Sequence, residues 1–152
     1  MQHDLNLTLD LIAEDLPAAE RLATSLGLAL QRGIGQYATD LYVPFFPTRS
    51  DAFLLRLRCD GYDDFAPSFQ FVNPDNVEQL GEQWWPRMEE ISYPRGEQND
   101  MLYCTPGIRE YHQHPSHRHE VHSKATWKLP RVIYLVWKYM HGSGAYLGRG
   151  GM

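Results

Sequence analysis

The spacing of apolar and polar positions changes several times along the chain, and each change predicts an element. Leu5, Leu7, Leu9 and Leu11 alternate with Asn6, Thr8 and Asp10, the period-two signature of a half-buried strand. The spacing then becomes helical. Asp15 is a candidate N-cap, Pro17 falls in the first turn, and Ala19, Leu22, Ala23 and Leu26 recur on one stripe. Gly27 supplies a stop, and Gly33 and Gly35 mark a turn. Residues 37–46, rich in aromatic and β-branched side chains, read as a strand broken by Pro44 and Pro47.

The clearest strand follows. Phe53, Leu55, Leu57 and Cys59 alternate with Leu54, Arg56 and Arg58, which puts Cys59 in phase with the core face. Phe69 and Phe71 flank Gln70 in a second short strand, and Asn73-Pro74-Asp75 is a turn. Residues 74–100 have no clean period. A structureless stretch of that length is unusual, so a short helix is expected near residues 77–83. Trp84 and Trp85 read as anchors covering the sheet, with a protein interface as the other use for them. Near the end, Leu129, Val132, Ile133, Val136 and Met140 form one helical stripe with Trp137 beside it. Pro130 is tolerable only in a first turn, so this helix should start near Thr126 and stop at Gly142. The pattern predicts one α+β domain over residues 1–141: an antiparallel meander sheet with an N-terminal and a C-terminal helix. Residues 142–152, rich in glycine, are expected to form a flexible tail.

Composition narrows the classes. With 152 residues, 43% of them apolar and 12% aromatic, the chain can bury a sizeable core. Its net charge of -5 and scattered basic residues argue against a nucleic-acid partner. Two cysteines do not make a disulfide framework. No leader pattern opens the chain and no apolar run reaches the ~18 residues of a spanning helix, so a soluble cytoplasmic protein without a membrane partner is expected.

Chemistry concentrates in residues 101–122, which hold one of the two cysteines and five of the seven histidines. The phase of the 53–59 strand leaves Cys104 as the candidate nucleophile. A thiolate is the reactive form, and free cysteine titrates near ~8.5, so a neighbouring cation favours it. Arg109, His112 and His114 are close in sequence. The Thr105-Pro106-Gly107 turn exposes the position after the cysteine.

The stretch from Phe53 to Phe71 resembles ubiquitin-conjugating enzymes. That family runs a strand into a Tyr-Pro-x-x-Pro-Pro segment and then a Val-x-Phe strand, and Tyr62, Pro67, Phe69 and Phe71 fall at the same offsets, with Asp63 and Ala66 in place of two prolines. Tyr93-Pro94-Arg95 begins eleven residues before Cys104, where the family has His-Pro-Asn, and Met101-Leu102-Tyr103 matches its apolar lead into the active cysteine. Trp127-Lys128-Leu129-Pro130 matches its tryptophan and proline before a helix. The order holds over residues 15–141 and is most similar to divergent bacterial members. About fifteen additional residues, the histidine loop, separate the cysteine from the tryptophan, and the family's further C-terminal helices are missing.

The resemblance implies a ubiquitin-conjugating-enzyme-like (UBC) fold and an acyltransferase. Cys104 would accept a ubiquitin-like protein from an adenylating activating enzyme as a thioester and pass it to an amine on a protein substrate, with no cofactor and no metal. Transfer needs a base for the amine and donors for the oxyanion. With Arg95 where the family has asparagine, His112 or His114 is expected to take part of that role, and Arg109 to favour the thiolate. Two other classes remain open. His112-Gln113-His114-Pro115, followed by seven residues and Ser123, resembles the zinc site of metalloprotease deubiquitinases, although Thr126 stands where that family has an aspartate ligand. The domain is alternatively a non-catalytic binding module for a ubiquitin-like protein.

Overall fold

The structure is a computed structural model that describes residues 4–62, 65–89, 92–95, 100–103, 109–113, 128–142 and 144–150. The first helix, α1, spans Leu5–Ser25. This corrects the strand expected at residues 5–11. Asp4, in an extended conformation, accepts the Leu7 N–H at 3.0 Å and caps the helix eleven residues before Asp15. The alternating leucines do not share a buried face: Leu5 and Leu7 are 58% and 57% exposed. The buried positions are Thr8, Ile12, Ala19 and Ala23, spaced at four, seven and four residues. Pro17 therefore lies in the helix interior, exposed, with no N–H to offer the preceding turn. The stop at Gly27 is as expected. Its φ of 73° is left-handed, the Gly27 N–H bonds to Thr24 O, and the Leu28 N–H reaches back to Ala23 O. Those two bonds are a Schellman C-cap.

The main sheet is an antiparallel meander of β1 (Gln31–Arg32), β2 (Asp40–Phe45), β3 (Phe53–Arg58) and β4 (Ser68–Val72), hydrogen-bonded in that order. Gly33 lies in the β1–β2 connection, where any Cβ would run into the Tyr37 carbonyl. The strand at β2 is not broken at Pro44, which pairs with Leu54. Cys59 N–H bonds to Thr39 O, so the odd-numbered residues of β2 turn their backbone groups to β3. The even-numbered ones face β1, and β1 reaches only as far as Tyr42. Pro44 thus has its missing donor on an open edge.

Alternation gives the sheet one apolar face. Leu41, Val43, Phe45, Phe53, Leu55, Leu57, Cys59, Phe69 and Phe71 are all at most 3% exposed. Cys59 is a core residue, as its phase predicted. α3 (Leu129–Trp137) completes the core with Leu129, Val132, Ile133 and Val136, followed by Met140 from a wider π-helical turn over Lys138–Gly142. Pro130 is in the first turn. The described helix begins at Leu129, with Lys128 as its cap; Thr126, its expected start, lies outside the described residues. α1 packs on α3, so both helices cover the same face of the sheet. Burying a large aliphatic or aromatic side chain contributes ~1.5–3 kcal/mol, and this layer contains more than a dozen.

Two small ladders complete the chain. The helix expected at residues 77–83 is replaced by a single 3₁₀ turn at Glu82–Trp84, and β5 (Pro86–Met88) follows. β6 (Ser92–Arg95) and β7 (Asp100–Tyr103) pair as a hairpin. A short helix, α2, covers Arg109–Gln113. The last element corrects the flexible tail: Tyr146–Arg149 form β8, antiparallel to β5. Its side chains hold it there. Tyr146 donates its hydroxyl to Asp51, and Arg149 donates to the carbonyls of Gln83 at 2.9 Å and Ala52 at 3.0 Å. Trp85, 1% exposed, packs edge-on against Phe71 and is a core anchor.

The α+β layout, an antiparallel sheet with an N-terminal and a C-terminal helix, is the expected one, and the structure gives the main sheet four strands. Among the described residues, no helix is long and apolar enough to cross a membrane.

Candidate functional site

The candidate nucleophile, Cys104, and His114 lie outside the described residues, as do Pro115 and Ser123 of the alternative zinc motif. The elements on either side of Cys104 are described. Hairpin β6–β7 pairs Ser92 with Tyr103, Tyr93 with Leu102, Pro94 with Met101 and Arg95 with Asp100. The Tyr93-Pro94-Arg95 motif is therefore laid alongside Leu102, Met101 and Asp100, and Tyr103, the residue before the cysteine, pairs with Ser92. After the cysteine, α2 packs on both β4 and β7.

The docking of α2 is specific. β4 is the last strand of the meander, and the strand phase turns the backbone groups of Pro67, Phe69 and Phe71 outward. The Arg109 N–H bonds to Pro67 O at 3.0 Å, and Phe69 N–H donates to the Glu110 carboxylate at 3.4 Å. The Ser68 hydroxyl donates to the other Glu110 oxygen. α2 thus closes the open edge of β4.

The Arg109 guanidinium faces the turn that follows β3. Nε donates to Ala66 O at 3.0 Å, Nη1 to the Asp60 carboxylate at 3.0 Å, and Nη2 to Asp60 O at 2.6 Å and Arg58 O at 3.4 Å. Its Cζ lies 5.9 Å from the Phe65 ring. Arg109, expected to favour a thiolate by its charge, is thus engaged by the backbone and Asp60 of the turn that carries Tyr62. His112 sits on the same helix with its ring edge-on to Tyr111, 5.3 Å between centroids.

The turn held by Arg109 is tied from its other side. The Tyr62 hydroxyl donates to Asp15 of α1. Lys128, the cap of α3, lies 3.7 Å from the same carboxylate and 5.9 Å from the Tyr62 ring. Tyr62 is 2% exposed. The motif tyrosine therefore joins α1, the turn and the start of α3.

Glu110 is the residue that sequence reasoning passed over. Burial pushes its carboxyl above the ordinary value, against the hydrogen bonds from Ser68 and Phe69. Nothing in the sequence marked it, because a glutamate on a short helix looks like a solvated one. Cys59 is a thiol of the opposite kind to a nucleophile: full burial, and then the Asp40 charge, push it far above the ordinary range.

Among the described residues no group of histidine, cysteine, aspartate and glutamate could hold a metal ion. A cavity of about 420 Å³ lies between the start of β3, the 73–75 turn, Trp84 and Arg149. It shares no described residue with α2. No protein-family model matches the chain, and no curated protein matches it.

Proposed function

We propose that the chain is a ubiquitin-conjugating-enzyme-like carrier. It accepts a ubiquitin-like protein from an adenylating activating enzyme as a thioester on Cys104 and transfers it to an amine of a protein substrate. The observation that carries this reading is the hairpin: β7 ends on Tyr103, the residue before Cys104, and β6 lays Tyr93-Pro94-Arg95 alongside it. The order of α1, the meander, the Tyr62 turn, the hairpin and α3 supports the same reading. In the transfer step the Cys104 thiolate attacks the activated carboxyl carbon, the C–S bond forms, and the adenylate leaves. The incoming amine then attacks the thioester, loses its proton to a base, and the thiolate departs. His112 or His114 is the proposed base. A cytoplasmic location belongs to the same reading.

The test is incubation with an activating enzyme, ATP and a ubiquitin-like protein, resolved on gels with and without reductant. The carrier gives a reductant-sensitive adduct that Cys104→Ala abolishes and Cys104→Ser converts to a reductant-resistant ester or abolishes. Loading of the Cys104→Ala variant would remove the mechanism.

A further inference from the structure

We infer that a cavity of about 280 Å³ on the polar face of the main sheet binds a small zwitterion, a free α-amino acid held by its own carboxylate and ammonium. The inference is independent of the carrier reading, which gives none of the residues involved a role.

Tyr37, Asp40, Arg56, Arg58, Asp60 and Glu78 are among the residues that line the cavity. Strand register puts Asp40, Arg56 and Arg58 on one face, the face away from the helices. Asp40 and Arg56 are buried there as an ion pair, with Arg56 Nε 2.8 Å from Asp40 Oδ2. Such a pair adds little to stability, because desolvating two ions cancels most of their attraction. At the floor of a cavity it instead provides fixed charges of both signs.

The pair does not use all its valences. Both bonds to the Asp40 carboxylate fall on Oδ2, from Arg56 Nε and from the Tyr42 hydroxyl at 3.4 Å. Arg56 donates through Nε and through Nη1, the latter to Val77 O at 3.2 Å. Asp40 Oδ1 and Arg56 Nη2 have no partner among the described residues. Neither of these atoms is sealed from solvent, so both open on the cavity. Arg58 lies directly across from Asp40, yet the carboxylate is taken by Arg56 on the diagonal. Among the described residues the Arg58 guanidinium has no ion pair, and its side chain is exposed at the cavity rim.

Charge balance selects the ligand. Asp60 is engaged by Arg109 at 3.0 Å. Arg56 and Arg58 then stand against Asp40 and Glu78, two charges of each sign. A simple anion is drawn to the arginines and repelled by Asp40 Oδ1, and a simple cation meets the reverse. A carboxylate and an ammonium on one carbon satisfy both, the carboxylate at Arg56 Nη2 and Arg58, the ammonium at Asp40 Oδ1. The volume, just under the ~300 Å³ at which pockets for drug-sized molecules begin, limits the ligand to a small amino acid.

The experiment titrates the full chain with alanine, sodium acetate, ethylammonium chloride and sodium phosphate, followed by proton–nitrogen NMR of the labelled protein. Alanine should give saturable shifts at the amides of Thr39, Asp40, Arg56 and Arg58 and at the Arg56 Nε–H. Acetate, ethylammonium and phosphate should each bind about tenfold more weakly or worse. Arg58→Ala, at an exposed position, should weaken alanine by about tenfold and leave the rest of the spectrum as in wild type. Asp40→Asn puts an amide donor where Oδ1 stands, so it should weaken alanine and strengthen acetate. No saturation by about 100 mM alanine, where a millimolar site is full, overturns the inference. Acetate or phosphate binding as tightly as alanine overturns it in favour of an anion site, and ethylammonium doing so in favour of a cation site. Unchanged alanine binding by Arg58→Ala overturns it too. If both variants lose the fold, the comparison of alanine with its two halves on wild type still decides.

Discussion

Replacing Asp40 by alanine should destabilise the fold by about 3 kcal/mol, toward the lower end of what breaking one side of a buried ion pair costs. Asp40 and Arg56 lie opposite the core, on the polar face of the sheet, yet their side chains are only 6% and 7% exposed. Arg56 Nε donates to the Asp40 carboxylate at 2.8 Å. At that distance the gross attraction is ~6 kcal/mol for an effective dielectric of about 20, against a desolvation cost of several kcal/mol per ion. The intact pair is thus close to neutral for stability. The variant is not, because Arg56 stays buried. Its remaining partners are Val77 O at 3.2 Å and Glu78, 3.7 Å away and 62% exposed. The Tyr37 ring, 5.3 Å from the guanidinium, shields it further. An adjoining cavity of about 280 Å³ gives water a route to Arg56, which is why the value sits at the lower end. The assay is urea unfolding, with the slope of free energy against denaturant unchanged and the midpoint lowered. A melting temperature lower by roughly 6–12 °C should accompany it. Removing both charges, in Asp40→Ala with Arg56→Met, should recover most of the loss. A cost below about 1 kcal/mol for Asp40→Ala, or a double variant no better than the single, would refute the reasoning.

Three further outcomes follow from particular residues. Pro17→Ala should stabilise the protein by roughly 1–3 kcal/mol, because Pro17 is exposed in the interior of α1 and alanine restores the missing donor; a lower urea midpoint would contradict this. Burial, then Asp51, raise the Tyr146 hydroxyl above its ordinary value of about 10, so the fold should lose stability above that pH as the unfolded chain ionises first. Tyr146→Phe should flatten that alkaline loss, as followed by thermal melting. Glu110 is raised by burial, so its contribution is fully present below the ordinary glutamate value of ~4.3 and is lost as pH rises through the folded value. Glu110→Gln should therefore gain on wild type between pH ~4 and ~7; a gain at pH ~4 that vanishes at pH ~7 would reverse the sign of the argument.

Much of the fold is legible in the chain because its two clearest patterns report burial directly. The alternation of Phe53 to Cys59 and the stripe of Leu129 to Met140 are both wholly core in the structure. At α1 the same reasoning misreads the first turns. The residues that α1 buries include Thr8, Ala19 and Ala23, which are small or polar, while Leu5 and Leu7 stay outside. The stripe of Ala19, Leu22 and Ala23 is found, but in the first turns the alternating leucines mask the helical spacing of Thr8 and Ile12.

The site divides in the same way. The likeness of Tyr62, Pro67, Phe69, Phe71 and Cys104 to a known motif order is a property of sequence spacing, and so is the demotion of Cys59 to the core. The pairing of β5 with β8 and the engagement of Arg109 and Glu110 join residues far apart in the chain. Tyr146 and Arg149 reach acceptors at Asp51 and Ala52, 95 and 97 residues away. Local propensity is silent about such partners. Periodicity decided which faces of β3, β4 and α3 are buried, because burial follows a residue's own polarity. Only the tertiary structure decided that a glycine-rich tail is a strand and that Arg109 and Glu110 close a sheet edge, because there the deciding energy is a hydrogen bond to a group the local sequence does not contain.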